Sequence, residues 1–303
     1  MMADLRLDLN AAEVFYTELT AARAQVFARL EGALPSDGYS LGGTIYGPIN
    51  KVTQSLAATY RLRDLGPGTS LLARAILPDP VLWTAETPAL YRVRLELRQA
   101  GQVVAQVERR LALRGLGVSG KNLLRDGKRW VLRGVSSLTS AASDWSARRE
   151  SGADCFSFQP PAGDELLAAA EHGILVITRI TGSFAELLEK LRELAQQPAV
   201  GIVLLPAEAR LYPDFDPHSV APNLLLGHLV PPGESRHFAP WADLIVAVVD
   251  SPEALAHRLA GYAGPVLCLR PSEAPLDLAA ARAECDTLQR DLAPMGQFAG
   301  YIV

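Results

Sequence analysis

The hydrophobic rhythm of this chain changes once, near Gly115, and that change limits the fold more than any other feature of the sequence. Up to Leu113, apolar and polar residues alternate in short runs. In YRVRLEL, Tyr91, Val93, Leu95 and Leu97 fall on one face, while Arg92, Arg94, Glu96 and Arg98 fall on the other. Beyond Gly115 the apolar runs are unbroken, as in LIVAVV, and segments of helical period separate them. Alternation suits a sheet with one wet face, whereas continuous runs suit parallel strands covered on both faces. One sheet cannot satisfy both patterns. Two domains are therefore expected, at residues 1–115 and 116–303, and 303 residues suffice for both.

In the first domain the runs LRLDL, AQVFARLEGAL, YSLGGTIYGP, SLAATYRLRD, SLLARAIL, YRVRLEL and VVAQVERRLAL read as about seven strands of an antiparallel β-sandwich. The segment AAEVFYTELTAARAQ reads as partly helical. The stretch Pro80–Ser137 closes this domain and opens the next. It turns once at Gln99-Ala100-Gly101-Gln102 and again, in a shorter hairpin, at Asp126-Gly127, a dipeptide suited to the positive φ of a tight turn.

Eight apolar runs then follow: WVLRGVS, ADCFSF, ILVITRI, VGIVLL, NLLLGHLV, DLIVAVVD, GPVLCLR and FAGYIV. Eight is the number that closes a (β/α)8 barrel of the TIM type. Helices are expected at DELLAAAEHG, FAELLEKLRELAQQ, SPEALAHRLAGYA and LDLAAARAECDTLQRDLAP; in the second, Phe184, Leu187, Leu188, Leu191 and Leu194 form a core-facing stripe. No glycine-rich phosphate loop follows these strands, which leaves a dinucleotide-binding fold as the weaker alternative. The barrel is compact, with mostly short connections and no segment for a helix after the last strand. Short strand-to-helix loops imply a shallow cleft.

Charge and composition narrow the partners. The net charge is -4 without a long basic run, so no nucleic-acid partner is expected. No run approaches transmembrane length, so no membrane partner is expected either. The charged start MMADLRLDLN lacks the apolar centre of a signal peptide, and a cytoplasmic location is expected. Cys155, Cys268 and Cys285 are too scattered for a disulfide framework or a metal knuckle, and read as reduced thiols on two strands and a helix. The five His show no metal-ligand spacing, and no cofactor is expected.

In a barrel of this kind functional side chains sit at the C-terminal ends of strands. Those positions hold Ser136, Ser137, Gln159, Arg179, Glu208, His228, Asp250 and Arg270. The run Asp250-Ser251-Pro252-Glu253 is a ready helix start, so capping is the expected job of Asp250. A buried carboxylate needs partners, so an Arg179-Glu208-Arg270 ion cluster is expected inside the mouth. Trp83 and Trp130 read as core residues of strands. Trp145 and Trp241 lie in connections and are the aromatic platforms left for stacking a ligand.

The wording LWTAETPALYRVRLEL, followed by LRDGKRWVLRGVSS, resembles the junction between sandwich and barrel in glycoside hydrolase family 2. Leu82-Trp83, Pro88, Leu90-Tyr91, Asp126-Gly127-Lys128 and Leu132-Arg133-Gly134-Val135 carry the resemblance. It implies an immunoglobulin-like sandwich followed by a catalytic barrel, with the family's preceding jelly-roll domain missing. It also implies an acid/base position at Glu208, reached without a gap from Gln196, with Ala207 where the family has a sugar-binding Asn. The position of the family's nucleophilic Glu falls on Arg270. Retaining hydrolysis needs two carboxyl groups about 5 Å apart. A guanidinium stays protonated and has no lone pair to attack with. The resemblance thus implies a catalytically inactive member with a carbohydrate-binding or scaffold role. The alternatives are an active glycosidase of altered mechanism, with Glu208 as acid and Asp250 or Glu273 as second carboxylate, and a protein-interaction module of a larger assembly. Carbohydrate and protein are the partners these readings allow.

Overall fold

The computed structural model describes residues 8–32, 38–52, 55–137, 145–206, 208–209, 216–233, 238–271 and 278–303. The chain divides into two compact units, one of Met1–Trp83 with Thr87–Leu113 and one of Thr84–Glu86 with Arg114–Val303. Among the described residues no helix is long and apolar enough to cross a membrane.

The first unit holds β1 (Glu13–Thr17), β2 (Arg23–Leu30), β3 (Tyr39–Ile49), β4 (Ala58–Asp64), β5 (Leu71–Pro78), β6 (Leu90–Gln99) and β7 (Gln102–Leu111). They form a single sheet in the order β1-β2-β5-β4-β3-β6-β7. The sandwich is thus one curled sheet, and β4 is where it changes partner. Ala58–Leu62 pair with β3, whereas Arg63 and Asp64 pair with Arg74 and Ala73 of β5. The two halves enclose one core, with Val26, Ala28 and Ala75 from one side and Leu41, Ile45 and Val93 from the other. At Gly43, where φ is +143°, a Cβ would stand 1.9 Å from the Arg94 carbonyl oxygen, so only glycine lets β3 and β6 approach there.

Two expectations fail in this unit. The segment read as partly helical forms β1, because Val14 and Tyr16 alternate inward and Phe15 stacks on Phe27 of β2 at 5.4 Å. At the start of the chain, Leu9–Ala11 is a short 3-10 turn rather than part of a strand; residues 5–7 of that expected strand lie outside the described residues. Trp83 is buried as expected but lies outside any strand, its N–H donating to the Leu113 carbonyl at 2.7 Å.

The second unit opens with a small sheet of β8 (Leu116–Ser119), β9 (Asn122–Arg125) and β10 (Lys128–Trp130). Asp126 and Gly127 take φ of 53° and 73°, the left-handed pair that a two-residue hairpin demands. A closed barrel follows: β11 (Leu132–Ser137), β12 (Asp154–Ser157), β13 (Val176–Arg179), β14 (Val200–Leu204), β15 (Leu225–Val230), β16 (Leu244–Val248), β17 (Val266–Leu269) and β18 (Gly300–Ile302). Every expected apolar run supplies one strand. The helices are α1 (Trp145–Ser151), α2 (Gly163–His172), α3 (Phe184–Ala195), α4 (Pro217–Val220), α5 (Pro252–Leu259) and α6 (Leu278–Leu292). Leu187, Leu191 and Leu194 of the α3 stripe are buried. Trp145, read as a connection residue, opens α1. Trp130 belongs to β10 rather than to the first barrel strand and is only half-buried, with the Arg125 guanidinium 3.8 Å from its ring.

Strand register separates the inner and outer faces of the barrel. Ile245, Ala247, Cys268 and Tyr301 pack against Leu255 of α5 and Leu288 of α6, so they face outward. Their neighbours along each strand, Val246, Leu267, Leu269 and Ile302, therefore face inward. The same parity puts Phe156, Ile177, Ile202 and Leu225 on the inside, in one register row.

Candidate functional site

Following this parity to the C-terminal end, the last inward residue of each strand is Ser136, Phe156, Arg179, Leu204, Leu229, Val248, Leu269 and Ile302. The mouth is thus mostly aliphatic. Among these eight, Ser136 supplies a hydroxyl and Arg179 a charge; both are half-buried. Ser136 also ties β11 to the chain end, its backbone N–H donating to the Val303 carbonyl at 2.6 Å. Of Ser137 only the backbone lies within the description.

The other candidates are scattered. Gln159 is exposed beyond β12, and its carbonyl accepts from the Ser157 hydroxyl. Glu208 is exposed on a short helical turn after β14, and its neighbour Ala207 lies outside the described residues. Arg270 follows β17, and its guanidinium lies 2.9 Å from the carboxylate of Asp291 on α6. The expected Arg179-Glu208-Arg270 cluster is not formed among the described residues. Leu269 faces inward, so alternation turns Arg270 toward α6, and Glu208, standing in solvent, needs no ionic partner.

His228 is not a mouth residue. It pairs in register with outward-facing Ile245, is 1% exposed, and lies 6.3 Å from both the Phe238 ring, nearly parallel, and the Trp241 ring, edge-on. That packing also engages Trp241, one of the two expected sugar platforms. The other, Trp145, has the Arg148 guanidinium over its ring at 5.9 Å.

Asp250 does not cap α5. Ser251 does, its hydroxyl accepting from the Ala254 N–H at 3.2 Å. Asp250 instead receives Arg258 at 2.6 Å, and this guanidinium also donates to the Val248 carbonyl at 2.6 Å. The Ser251 N–H and, less strongly, Arg258 hold the Asp250 carboxyl below its ordinary range. Glu273 lies outside the described residues.

Of the candidates after β14 and β17, Glu208 is an exposed carboxylate and Arg270 a guanidinium paired with Asp291. Among the described residues no three His, Cys, Asp or Glu converge on a metal position. Cys155, Cys268 and Cys285 are free and buried, and burial pushes each thiol up, Cys285 to about 11, so none is an activated nucleophile. A different concavity, of about 450 Å³, lies at the opposite, N-terminal end of the barrel and is lined by arginines. Sequence reading missed it because those arginines are dispersed and form no basic run.

Residues 13–114 match the sequence model described as Glycosyl hydrolases family 2. The sequence matches none of the curated proteins. Among solved structures, the chain is similar to Bacteroides uniformis beta-glucuronidase 2, with a TM-score of 0.63 and 17% identity over 96% of this chain and 45% of that one. It is also similar to the beta-D-glucuronidase of Dictyoglomus thermophilum, with a TM-score of 0.60 and 16% identity over 96% of this chain and 61% of that one. A third is the Bifidobacterium dentium beta-glucuronidase complexed with coumarin-3-O-glucuronide, with a TM-score of 0.61 and 14% identity over 96% and 59% of the two chains. The chain spans about half the length of these structures, and at such identities the likeness concerns the fold.

Proposed function

This chain is glycoside hydrolase family 2-like in its sandwich sequence and in its fold, and from that premise we propose that it keeps the scaffold of such enzymes without their retaining hydrolysis. Its role is then to bind carbohydrate or to serve as a scaffold. The observation that carries this reading is Arg270 at the end of the seventh barrel strand, ion-paired with Asp291. A covalent glycosyl intermediate needs a carboxylate there, about 5 Å from the acid. Asp250 cannot substitute in its present setting, because Arg258 engages it. The aliphatic mouth adds to this, since sugar hydroxyls brought into it would find few polar partners. That weights the role toward a scaffold.

The test is hydrolysis of a panel of aryl β-glycosides by the wild-type protein and by Glu208→Gln. Equal, background-level rates are expected. Turnover that the substitution abolishes would overturn the reading and would establish Glu208 as the acid of a working glycosidase.

A further inference from the structure

At the N-terminal end of the barrel, the cleft of about 450 Å³ is lined by Arg125, Arg133, Arg148, Arg149 and Arg282, with Glu86 and Asp154 as the acids among its described lining residues. Even with Asp286 counted beside Arg133 and Arg282, guanidiniums outnumber carboxyls among the described residues of this wall. Three of the five lie within 4 Å of a carboxylate, and Arg148 stands over the Trp145 ring. Arg133 donates to Asp286 at 3.1 Å, and Arg282 comes within 3.8 Å of that same carboxylate. Arg125 lies 3.9 Å from Asp154 and stacks on Trp130.

Arg148 and Arg149, consecutive on α1, are different. Among the described residues neither makes an ion pair within 4 Å, and Arg149 acts on the Glu86 carboxyl only at longer range. Arg149 donates to two backbone carbonyls, of His172 at 2.7 Å and of Glu86 at 3.5 Å. Arg148 is 6% exposed, and its Nε and Nη1 meet no acceptor among the described residues. A guanidinium held out of water with unmet donors is costly and calls for an acceptor of opposite charge. Asp154 does not fill that role: one of its oxygens accepts the Leu175 N–H at 3.0 Å and the other faces Arg125.

We propose that this cleft is an oxyanion site in which Arg148 and Arg149 bind the phosphate or sulfate group of a small molecule. A planar guanidinium fork matches such an anion through paired N–H donors. The unmet Nε and Nη1 of Arg148 lie on different edges of the fork, each beside Nη2, so an oxyanion can engage this guanidinium along either edge. A cleft of this volume admits the anion with a small organic group attached. The site is independent of any chemistry at the barrel mouth.

The experiment titrates the full chain with inorganic phosphate and with sodium sulfate, each at an ionic strength held constant with chloride, by calorimetry. Wild type, Arg148→Gln and Arg149→Gln are compared. Saturable binding of at least one anion to wild type is expected, weakened at least tenfold in Arg148→Gln and severalfold in Arg149→Gln. The anion-free Arg148→Gln should melt no lower than wild type, because the change removes a buried charge whose donors are unmet; a purely structural Arg148 would give a lower melting temperature. Should Arg148→Gln not fold, the half-buried Arg149→Gln decides. Absence of saturable binding to wild type, or binding equal in all folded variants, overturns the proposal.

Discussion

Arg270 leaves the seventh barrel strand with its guanidinium 2.9 Å from the Asp291 carboxylate on α6, so the side chain at this position is committed to the helix layer. Placing a carboxylate there does not rebuild a nucleophile: in Arg270→Glu the new group meets Asp291 as a like charge. Aryl β-glycoside hydrolysis by this variant should stay at the wild-type level. The ion pair is about half exposed, so Arg270→Gln should cost less than about 1 kcal/mol in denaturant unfolding. Turnover in Arg270→Glu that Glu208→Gln then removes would contradict the placement.

The contact between Asp250 and Arg258 gives an ordered pair of variants. The Arg258 side chain is 7% exposed and donates to both Asp250 and the Val248 carbonyl. Asp250→Asn leaves a buried guanidinium without its counter-charge, whereas Arg258→Met removes the charge and keeps an apolar stem. Asp250→Asn should therefore lower the melting temperature more than Arg258→Met. The reverse order in thermal melts would show that the pair is not what holds this end of α5.

Asp154 supplies a pH signature. Burial dominates and pushes its carboxyl up to about 6, against the opposing pull of Arg125 and the Leu175 N–H, with Glu86 adding to the rise. A folded-state value above the ordinary 3.8 means that its contribution to stability is complete below about pH 4 and is lost as pH rises through about 6. The size is on the order of 3 kcal/mol. Asp154→Asn keeps an acceptor for the Leu175 N–H but does not titrate. The stability of wild type relative to this variant should fall between pH 4 and 7 and level off above. A difference that is flat with pH would refute the shift.

In the sandwich, Tyr91 is 1% exposed and its hydroxyl accepts the Val81 N–H at 2.9 Å. Tyr91→Phe leaves that part-buried amide unmet, at a cost of about 1 kcal/mol. Urea unfolding of the variant measures it. An unchanged midpoint would mean that water reaches the Val81 amide.

Much of the fold was legible because the periods are local. Each of the eight barrel strands carries its own apolar run, the α3 stripe repeats within its own helix, and Asp126-Gly127 is sufficient for its own turn. Where local and long-range terms compete, the sequence misleads. EVFYT becomes β1 because Phe15 finds Phe27 across the sheet, a partner that no window around it contains. The candidate site suffered most. A strand end names a position, but one step of register decides whether its side chain faces the barrel interior, as Arg179 does, or the helix layer, as His228 and Arg270 do. The basic cleft was invisible for the same reason: Arg125, Arg148 and Arg282 are far apart in the chain, and only barrel closure gathers them onto one wall. Sequence alone thus determined which elements form and in what order, because hydrophobic period acts between near neighbours. Tertiary structure alone decided which charges meet, because ion pairing acts through space and is indifferent to position along the chain.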